Sequence, residues 1–232
     1  MAIKKENFSR RDFIKNSSMF AGGIVMVSLL NPLKMVYATK RPKGKGKWYG
    51  IGIDIEKCIG CASCARVCKV ENNVPNEPFY FRNWVEQYTI TNDDEIIVSS
   101  PNGGIDGFTQ PVPDEEIYKT FFVPKMCNHC AKSPCTQVCP VGASFESPEG
   151  IALVDQNYCI GCGYCLQACP YGCRYVDYDK GVIDKCTLCY HRIKKDLDPA
   201  CMMAYPTEAR IYGDLNDKKS AISQFIKDNS CA

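Results

Sequence analysis

Four cysteine runs share one spacing rule: Cys58-Cys61-Cys64-Cys68, Cys127-Cys130-Cys135-Cys139, Cys159-Cys162-Cys165-Cys169 and Cys186-Cys189-Cys201. The last run is followed by Tyr205, where a sixteenth cysteine would fall, and fifteen of the 17 cysteines lie in these runs. Thiolates are soft, charged ligands for iron. Three of them within seven residues wrap one corner of a cuboidal cluster, while a fourth set apart reaches a neighbouring one. The chemistry indicated is iron–sulfur ligation and one-electron redox.

The first and third runs read C-x2-C-x2-C-x3-C, and the third continues into Pro170, as bacterial ferredoxin runs do. Small residues at Gly60, Ala62, Gly161 and Gly163 let the backbone approach a cluster. Because the fourth cysteine leaves toward a second cluster, such runs come in pairs, and four runs imply two paired modules. In the second run the gap between the second and third cysteines holds Pro134. The fourth run widens that gap to eleven residues, room for a short helix around Tyr190-His191-Arg192-Ile193-Lys194-Lys195. Zinc knuckles would leave the extra cysteines of the first and third runs without a role. A disulfide scaffold belongs to small domains without a core, whereas this chain is 45% hydrophobic and long enough to bury one. Catalytic thiols would account for only one or two of the cysteines.

The N-terminus reads as an export signal. Ser9-Arg10-Arg11-Asp12-Phe13-Ile14-Lys15 is a twin-arginine motif, residues 19–30 are apolar, and Val36-Tyr37-Ala38 offers a small-residue cleavage site. Those twelve apolar residues give about 18 Å of helix against a hydrocarbon core of about 30 Å, so the stretch targets rather than spans. Twin-arginine export carries folded proteins, which suits cofactors inserted in the reducing cytoplasm. The expectation is a peripheral protein on the periplasmic side of the cytoplasmic membrane, delivered by the twin-arginine machinery. Residues 1–38 hold six of the 28 basic and two of the 26 acidic residues, so the remainder carries a formal charge of −2. That leaves no basic patch for nucleic acid. Residues 39–47 are basic and rich in Gly and Pro, a solvated linker.

Alternating patterns place strands at 48–55, 117–123, 151–154 and 209–212, and short helices at 133–138, 164–168, 187–197 and 218–227. Strand, loop, short helix, strand is the ferredoxin-like pattern used twice. The expected fold class is α+β, two ferredoxin-like modules of the bacterial 2x4Fe-4S type with short strands, short helices and long cluster-binding loops. Residues 48–68 and 180–215 form the first module, from runs one and four. Residues 127–179 form the second, from runs two and three. Residues 69–126 are a cysteine-free insertion and 216–232 a C-terminal helix and tail. Within the insertion, Phe79-Tyr80-Phe81, Trp84 and Tyr88 suggest a strand whose aromatics fill a small core or face a partner, and Pro101-Asn102-Gly103-Gly104 reads as a turn.

The order of the runs, the long segment after the first, and the sequences Cys127-Asn128-His129-Cys130, Cys159-Ile160-Gly161-Cys162-Gly163-Tyr164-Cys165, Cys169-Pro170-Tyr171 and Ala209-Arg210-Ile211-Tyr212-Gly213-Asp214-Leu215 resemble a known family. They are similar to the four-cluster iron–sulfur subunits of the DMSO reductase superfamily. Within it they are most like those of polysulfide, thiosulfate and tetrathionate reductases and of formate-dependent nitrite reduction. The resemblance implies a non-catalytic electron-transfer subunit. Its partners would be a catalytic subunit carrying a molybdenum or tungsten pterin, or a cytochrome, and a multi-span membrane subunit reactive with quinone. It also implies nested pairing. Cys127, Cys130, Cys135 and Cys169 would hold one cluster and Cys139, Cys159, Cys162 and Cys165 its neighbour. Cys68, Cys186, Cys189 and Cys201 would hold a third. The fourth, nearest the catalytic subunit, would rest on Cys58, Cys61, Cys64 and position 205.

Tyr205 is where the chain departs from the family. Three 4Fe-4S clusters are expected, with the Cys58/Cys61/Cys64 site holding either a 3Fe-4S cluster or a 4Fe-4S cluster with a non-cysteine ligand. Cys173 and Cys231 stand outside the runs, each either a substitute ligand or an inert thiol. Neither histidine has a catalytic setting: His129 sits between two ligands and His191 falls on a solvated helix face. A free-standing exported polyferredoxin is the alternative to a complex subunit.

Overall fold

The computed structural model describes residues 46–77, 80–204 and 206–229. The twin-arginine segment, the linker up to residue 45, Tyr205 and Cys231 lie outside the described residues. In chain order the elements are β1 (Tyr49–Ile53), α1 (Ser63–Glu71), β2 (Asn83–Thr91), β3 (Ile96–Ser99), β4 (Ile117–Met126), α2 (Pro134–Gln137), β5 (Ser144–Glu146), β6 (Ala152–Val154), α3 (Tyr164–Gln167), β7 (Arg174–Asp177), β8 (Val182–Lys185), α4 (Tyr190–Ile193), α5 (Ala200–Met203), β9 (Arg210–Asp214) and α6 (Ala221–Asp228). The expected strands appear as β1, β4, β6 and β9, and three of the expected helices as α2, α3 and α6.

Antiparallel pairing brings the runs together. β1, which enters the first run, pairs with β9, which leaves the fourth, with Ile51 opposite Tyr212. The β5–β6 hairpin lies between runs two and three, and β7–β8 between runs three and four. The short helices pack in the same nested order, α1 against α5 and α2 against α3. At the far end of α1, Glu71 accepts from Arg192 Nη1 at 3.0 Å and lies 2.7 Å from His191 Nε2, so His191 joins runs one and four rather than standing in solvent alone. Ser220 caps α6, and Ile222 buries that helix against β1 and β9.

The fourth run departs from the sequence reading. A helix over 187–197 shrinks to α4, because Leu188 and Cys189 take left-handed backbone (φ 55° and 48°) before it and Asp196 (φ 54°) does so after it. A helix interior cannot hold such residues. Conversely, α1 carries a cysteine run through nine residues in which the sequence reading placed no helix.

The cysteine-free insertion builds a three-stranded sheet in the order β3-β2-β4. Strand alternation puts Asn83, Val85, Gln87, Thr89 and Thr91 of β2 inward, and Trp84 and Tyr88 on the half-buried outer face. Tyr88 stacks on Phe121 there, with ring centroids 5.5 Å apart. Both alternatives for the aromatics appear: Tyr80 is buried and stacked on Tyr175 with ring centroids 4.7 Å apart, while Trp84 and Tyr88 form a partly open face. Arg82 anchors the insertion to the rest of the fold. It makes a buried 2.7 Å ion pair with Asp184 and donates to Asn72 Oδ1 at 3.0 Å, while the Tyr175 hydroxyl donates to the same Asp184 oxygen at 2.7 Å. Burial works against the Arg82 charge, but Asp184 outweighs it and holds the guanidinium protonated.

Two glycines allow the loops to close. Gly60 (φ +70°) faces the Phe122 ring, and Gly161 (φ +68°) lies against the backbone oxygen of Gly181, so a Cβ at either would collide. At Gly161 the obstacle is backbone and cannot rotate away. Gly161→Ala is expected to cost more than about 1 kcal/mol and to lower the melting temperature of the iron-loaded protein. An unchanged melting temperature would contradict this close packing.

Candidate functional site

In each run the third and fourth ligand positions stand four residues apart: 64 and 68, 135 and 139, 165 and 169, 201 and 205. Cys64, Cys135, Cys165 and Cys201 lie in α1, α2, α3 and α5. Cys68 follows Cys64 by about one turn, or about 6 Å, within α1, while Cys139 and Cys169 stand two residues past the ends of α2 and α3. A single short helix thus offers one thiol to one group of cysteines and the next thiol to the adjacent group. Left-handed residues just ahead of helices in three of these runs, Ala62, Gly163 and Cys189, turn the chain from ligand loop into helix.

The structure gathers the cysteines into four groups. Group I is Cys58, Cys61 and Cys64: burial pushes the Cys64 thiol up, Arg210 and the Asn83 amide oppose this, and like charge from Cys58 and Cys61 adds to it. Group II is Cys68, Cys186, Cys189 and Cys201. Burial raises Cys68 well above the ordinary thiol value, reinforced by the other three. Group III is Cys127, Cys130, Cys135 and Cys169, which line one cavity together with Cys173. Group IV is Cys139, Cys159, Cys162 and Cys165, lining a second cavity with Val141, Ile160 and Ile183. These are the sets that nested pairing implies, and Tyr205, expected beside group I, lies outside the described residues.

The groups follow one another in space. Cys201 of group II and Cys64 of group I act electrostatically on each other, as do Cys186 and Cys127 across groups II and III, and Cys165 and Cys135 across groups IV and III. The order is I, II, III, IV, although the runs occur in the chain as one, two, three, four. Crossing between modules happens at the Cys186–Cys127 junction.

The residues fit iron–sulfur clusters. Thiols ring cavities in groups III and IV, and among the described residues no three His, Cys, Asp or Glu side chains converge closely enough to hold a single metal ion. Amide groups point at the sulfurs. The backbone N–H of Ser144, Ile183 and Leu188 donate to Cys139, Cys159 and Cys186, each at 3.4 Å. Asn72 Nδ2 lies 3.6 Å from Cys68 Sγ and 3.7 Å from Cys189 Sγ. Such donors stabilise electron-rich sulfur in a cluster. Burial pushes Cys186 up to about 12 and Cys201 to about 11, so these sulfurs become thiolates at neutral pH only when iron supplies the countercharge. Cys139 runs the other way, because successive backbone amides of residues 141–144 outweigh its burial and lower it.

Sequence reasoning did not single out the buried cations beside these groups. Lys185 Nζ lies 3.5 Å from Cys127 Sγ and donates to the Cys186 carbonyl at 2.6 Å. Arg210 donates to Asn83 Oδ1 at 2.7 Å, and Asn83 in turn donates to the Cys64 carbonyl at 2.9 Å. Arg174 lines the group III cavity. A signal was available for the arginines: Arg174 follows Cys169 by five residues, and Arg210 follows position 205 by five.

Cys173 is buried in the wall of the group III cavity, and its thiol donates to the Met126 and Tyr171 carbonyls at 3.2 and 3.4 Å. Burial pushes it up to about 12, with Cys127, Cys169 and Cys186 adding to the rise. None of those neighbours belongs to the first run, so this thiol is not placed to complete group I. Cys173→Ala is expected to keep the parent iron content, while Cys169→Ala, four residues earlier, loses iron. Iron analysis of both purified variants checks the distinction.

Two family models, each described as a 4Fe-4S dicluster domain, match residues 57–143 and 118–215. The chain is 42% identical over 187 residues to a tetrathionate reductase subunit of Archaeoglobus fulgidus, a match covering 78% of this chain and 76% of that protein. It is 34% identical over 219 residues to a tetrathionate reductase subunit of Salmonella typhimurium, covering 94% and 78%. With a polysulfide reductase chain of Wolinella succinogenes it shares 33% identity over 181 residues, covering 78% and 83%. The paired cysteine groups, the two dicluster domains and these identities together make the chain a member of the iron–sulfur electron-transfer subunits of the DMSO reductase superfamily.

Proposed function

We propose that this chain relays single electrons through four iron–sulfur clusters between a quinone-reactive membrane subunit and an exported catalytic subunit carrying a molybdenum or tungsten pterin, or a cytochrome. The observation that carries the reading is the serial order of the thiol groups, each near enough to the next for their cysteines to act on one another electrostatically. Bound at these thiols, iron–sulfur clusters take up and release one electron at a time. The fifteen cysteines of the runs supply the ligands, and Tyr205 stands where group I has no sixteenth. That group holds either a 3Fe-4S cluster or a 4Fe-4S cluster with a non-cysteine ligand.

The chain's own residues hold, space and insulate the redox centres, and we assign them no bond-making step. Cys162 is exposed at the group IV end, where Val141 and Ile160 line the same cavity and Tyr158 and Tyr164 flank it in the chain, all four exposing large apolar surfaces. Such surface favours a subunit docked on a partner over a freely diffusing polyferredoxin. By the family resemblance group I faces the catalytic subunit, which leaves the group IV end for the membrane subunit. The twin-arginine motif supports export and a periplasmic, peripheral location.

Iron and acid-labile sulfide analysis with EPR of oxidised and reduced protein tests the relay. About sixteen irons without an oxidised signal means four cubanes, and about fifteen with an oxidised 3Fe-4S signal means that group I lacks one iron. About twelve would empty group I and shorten the relay. Replacing Arg10 and Arg11 together by lysine is expected to retain the protein in the cytoplasm, read by fractionation and immunoblot. Unchanged export would sink the twin-arginine reading.

A further inference from the structure

We propose that Arg210, Lys185 and Arg174 form a series of buried cations, one at each junction between successive thiol groups, that sets how readily an electron enters the centres on either side. The inference rests on the relay reading and adds to it the residues that tune each transfer.

All three side chains are withdrawn from water: Lys185 is 0% exposed, and Arg174 and Arg210 are each 6% exposed. Charged residues are almost never buried so completely without a partner. Each of these bears on thiols of two neighbouring groups. Arg210 acts on Cys64 of group I and on Cys201 of group II. Lys185 reaches Cys127 of group III with its Nζ and acts on Cys186 of group II. Arg174 lines the group III cavity and acts on Cys165 of group IV. Among the described residues no carboxylate pairs with Lys185 or Arg174. Arg174 donates from Nη2 to Ser144 Oγ at 2.9 Å, and its buried Nη1 has no hydrogen-bond partner. Anionic sulfur is the countercharge left to these two side chains.

The repeated fold explains two of the positions. Arg174 opens β7 and Arg210 opens β9, each five residues past the fourth ligand position of its run. Lys185 instead stands immediately before Cys186, as Met126 stands immediately before Cys127. Methionine, which holds the corresponding place in the other module, is therefore the uncharged replacement chosen for Lys185. The lysine is peculiar to the junction where the two modules meet.

An added electron makes an already anionic centre more negative and raises the cost of reducing its neighbour. A fixed cation between the two lowers that cost for both. Neutralising one cation should therefore disturb two adjacent centres and leave the others alone.

The test is potentiometric titration, followed by EPR, of iron-loaded full-length protein carrying Arg210→Gln, Lys185→Met or Arg174→Gln, beside Lys185→Arg, Arg210→Lys and Arg174→Lys. Each neutral variant is expected to lower two of the four one-electron potentials by roughly tenfold in the reduction equilibrium, about 59 mV. Lys185→Met should share one displaced wave with each arginine variant, and the arginine variants should share none with each other. Lys185→Arg should keep the parent potentials. The inference is overturned if fully loaded neutral variants shift by less than about threefold, if all four waves move together, or if Lys185→Arg shifts as far as Lys185→Met. Iron loss in a neutral variant but not in its charge-preserving partner supports the cation. Iron loss in both assigns that residue to packing and overturns its place in the series. Parent protein without iron at groups II to IV would sink the relay reading instead, a result separable from unchanged potentials in loaded protein.

Discussion

Sulfur that is buried and charged needs positive charge within reach, and nearly every feature of this fold follows from meeting that need. Among the described residues, nine cysteines are buried, and five of them sit inside the apolar clusters rather than beside them. Cys186 packs with Met126, Ile151 and Leu188, Cys64 and Cys201 with Ala65 and Val85, and Cys135 and Cys165 with Ile183. The same side chains are therefore core and ligand. Desolvation holds several of them protonated in the absence of metal, so iron, backbone amides and buried cations complete a core that hydrocarbon alone leaves unfinished.

Repetition of one small device extends this core in a line. A short helix, entered through a left-handed residue in runs one and three, carries the third thiol, and in the first three runs the fourth thiol follows four residues later. One thiol closes one group and the other opens the next. The gap between second and third cysteines can hold two, four or eleven residues, because a loop absorbs the difference. The four-residue step is the same in every run, and it spans groups I and II or groups III and IV. Antiparallel pairing of β1 with β9 then folds run one onto run four around runs two and three.

The insertion between the first two runs supports this line from the side. Of the polar residues its central strand turns inward, Asn83 reaches the Cys64 carbonyl in α1, while Thr89 and Thr91 bond within the insertion to Thr120 and Glu95. Asn83 bridges Arg210 and the Cys64 carbonyl, and Arg82 links Asp184 to Asn72, whose amide faces two group II sulfurs. Of the aromatic residues conspicuous in the sequence, Trp84 and Tyr88 lie on the opposite, half-open face, whereas Tyr80 is buried against Tyr175. Aromatic content indicated a strand, but the face it would occupy depended on register.

The grouping of neighbouring thiols within a run, the ferredoxin-like spacing and most of the strands were legible in the sequence, because local spacing sets whether three thiols can meet one centre. The shortened helix in run four was not, since Leu188 and Cys189 adopt left-handed backbone that their side chains do not favour and only tertiary contact imposes. Nor were the places of Lys185, Arg174 and Arg210, three ordinary letters until strand pairing put each between two groups. The sequence by itself determined which thiols stand together and how many centres a run can serve, because those depend on residues close in the chain. Only the tertiary structure decided the spatial order of the groups and the charges between them, because both arise from contacts between residues far apart in the chain.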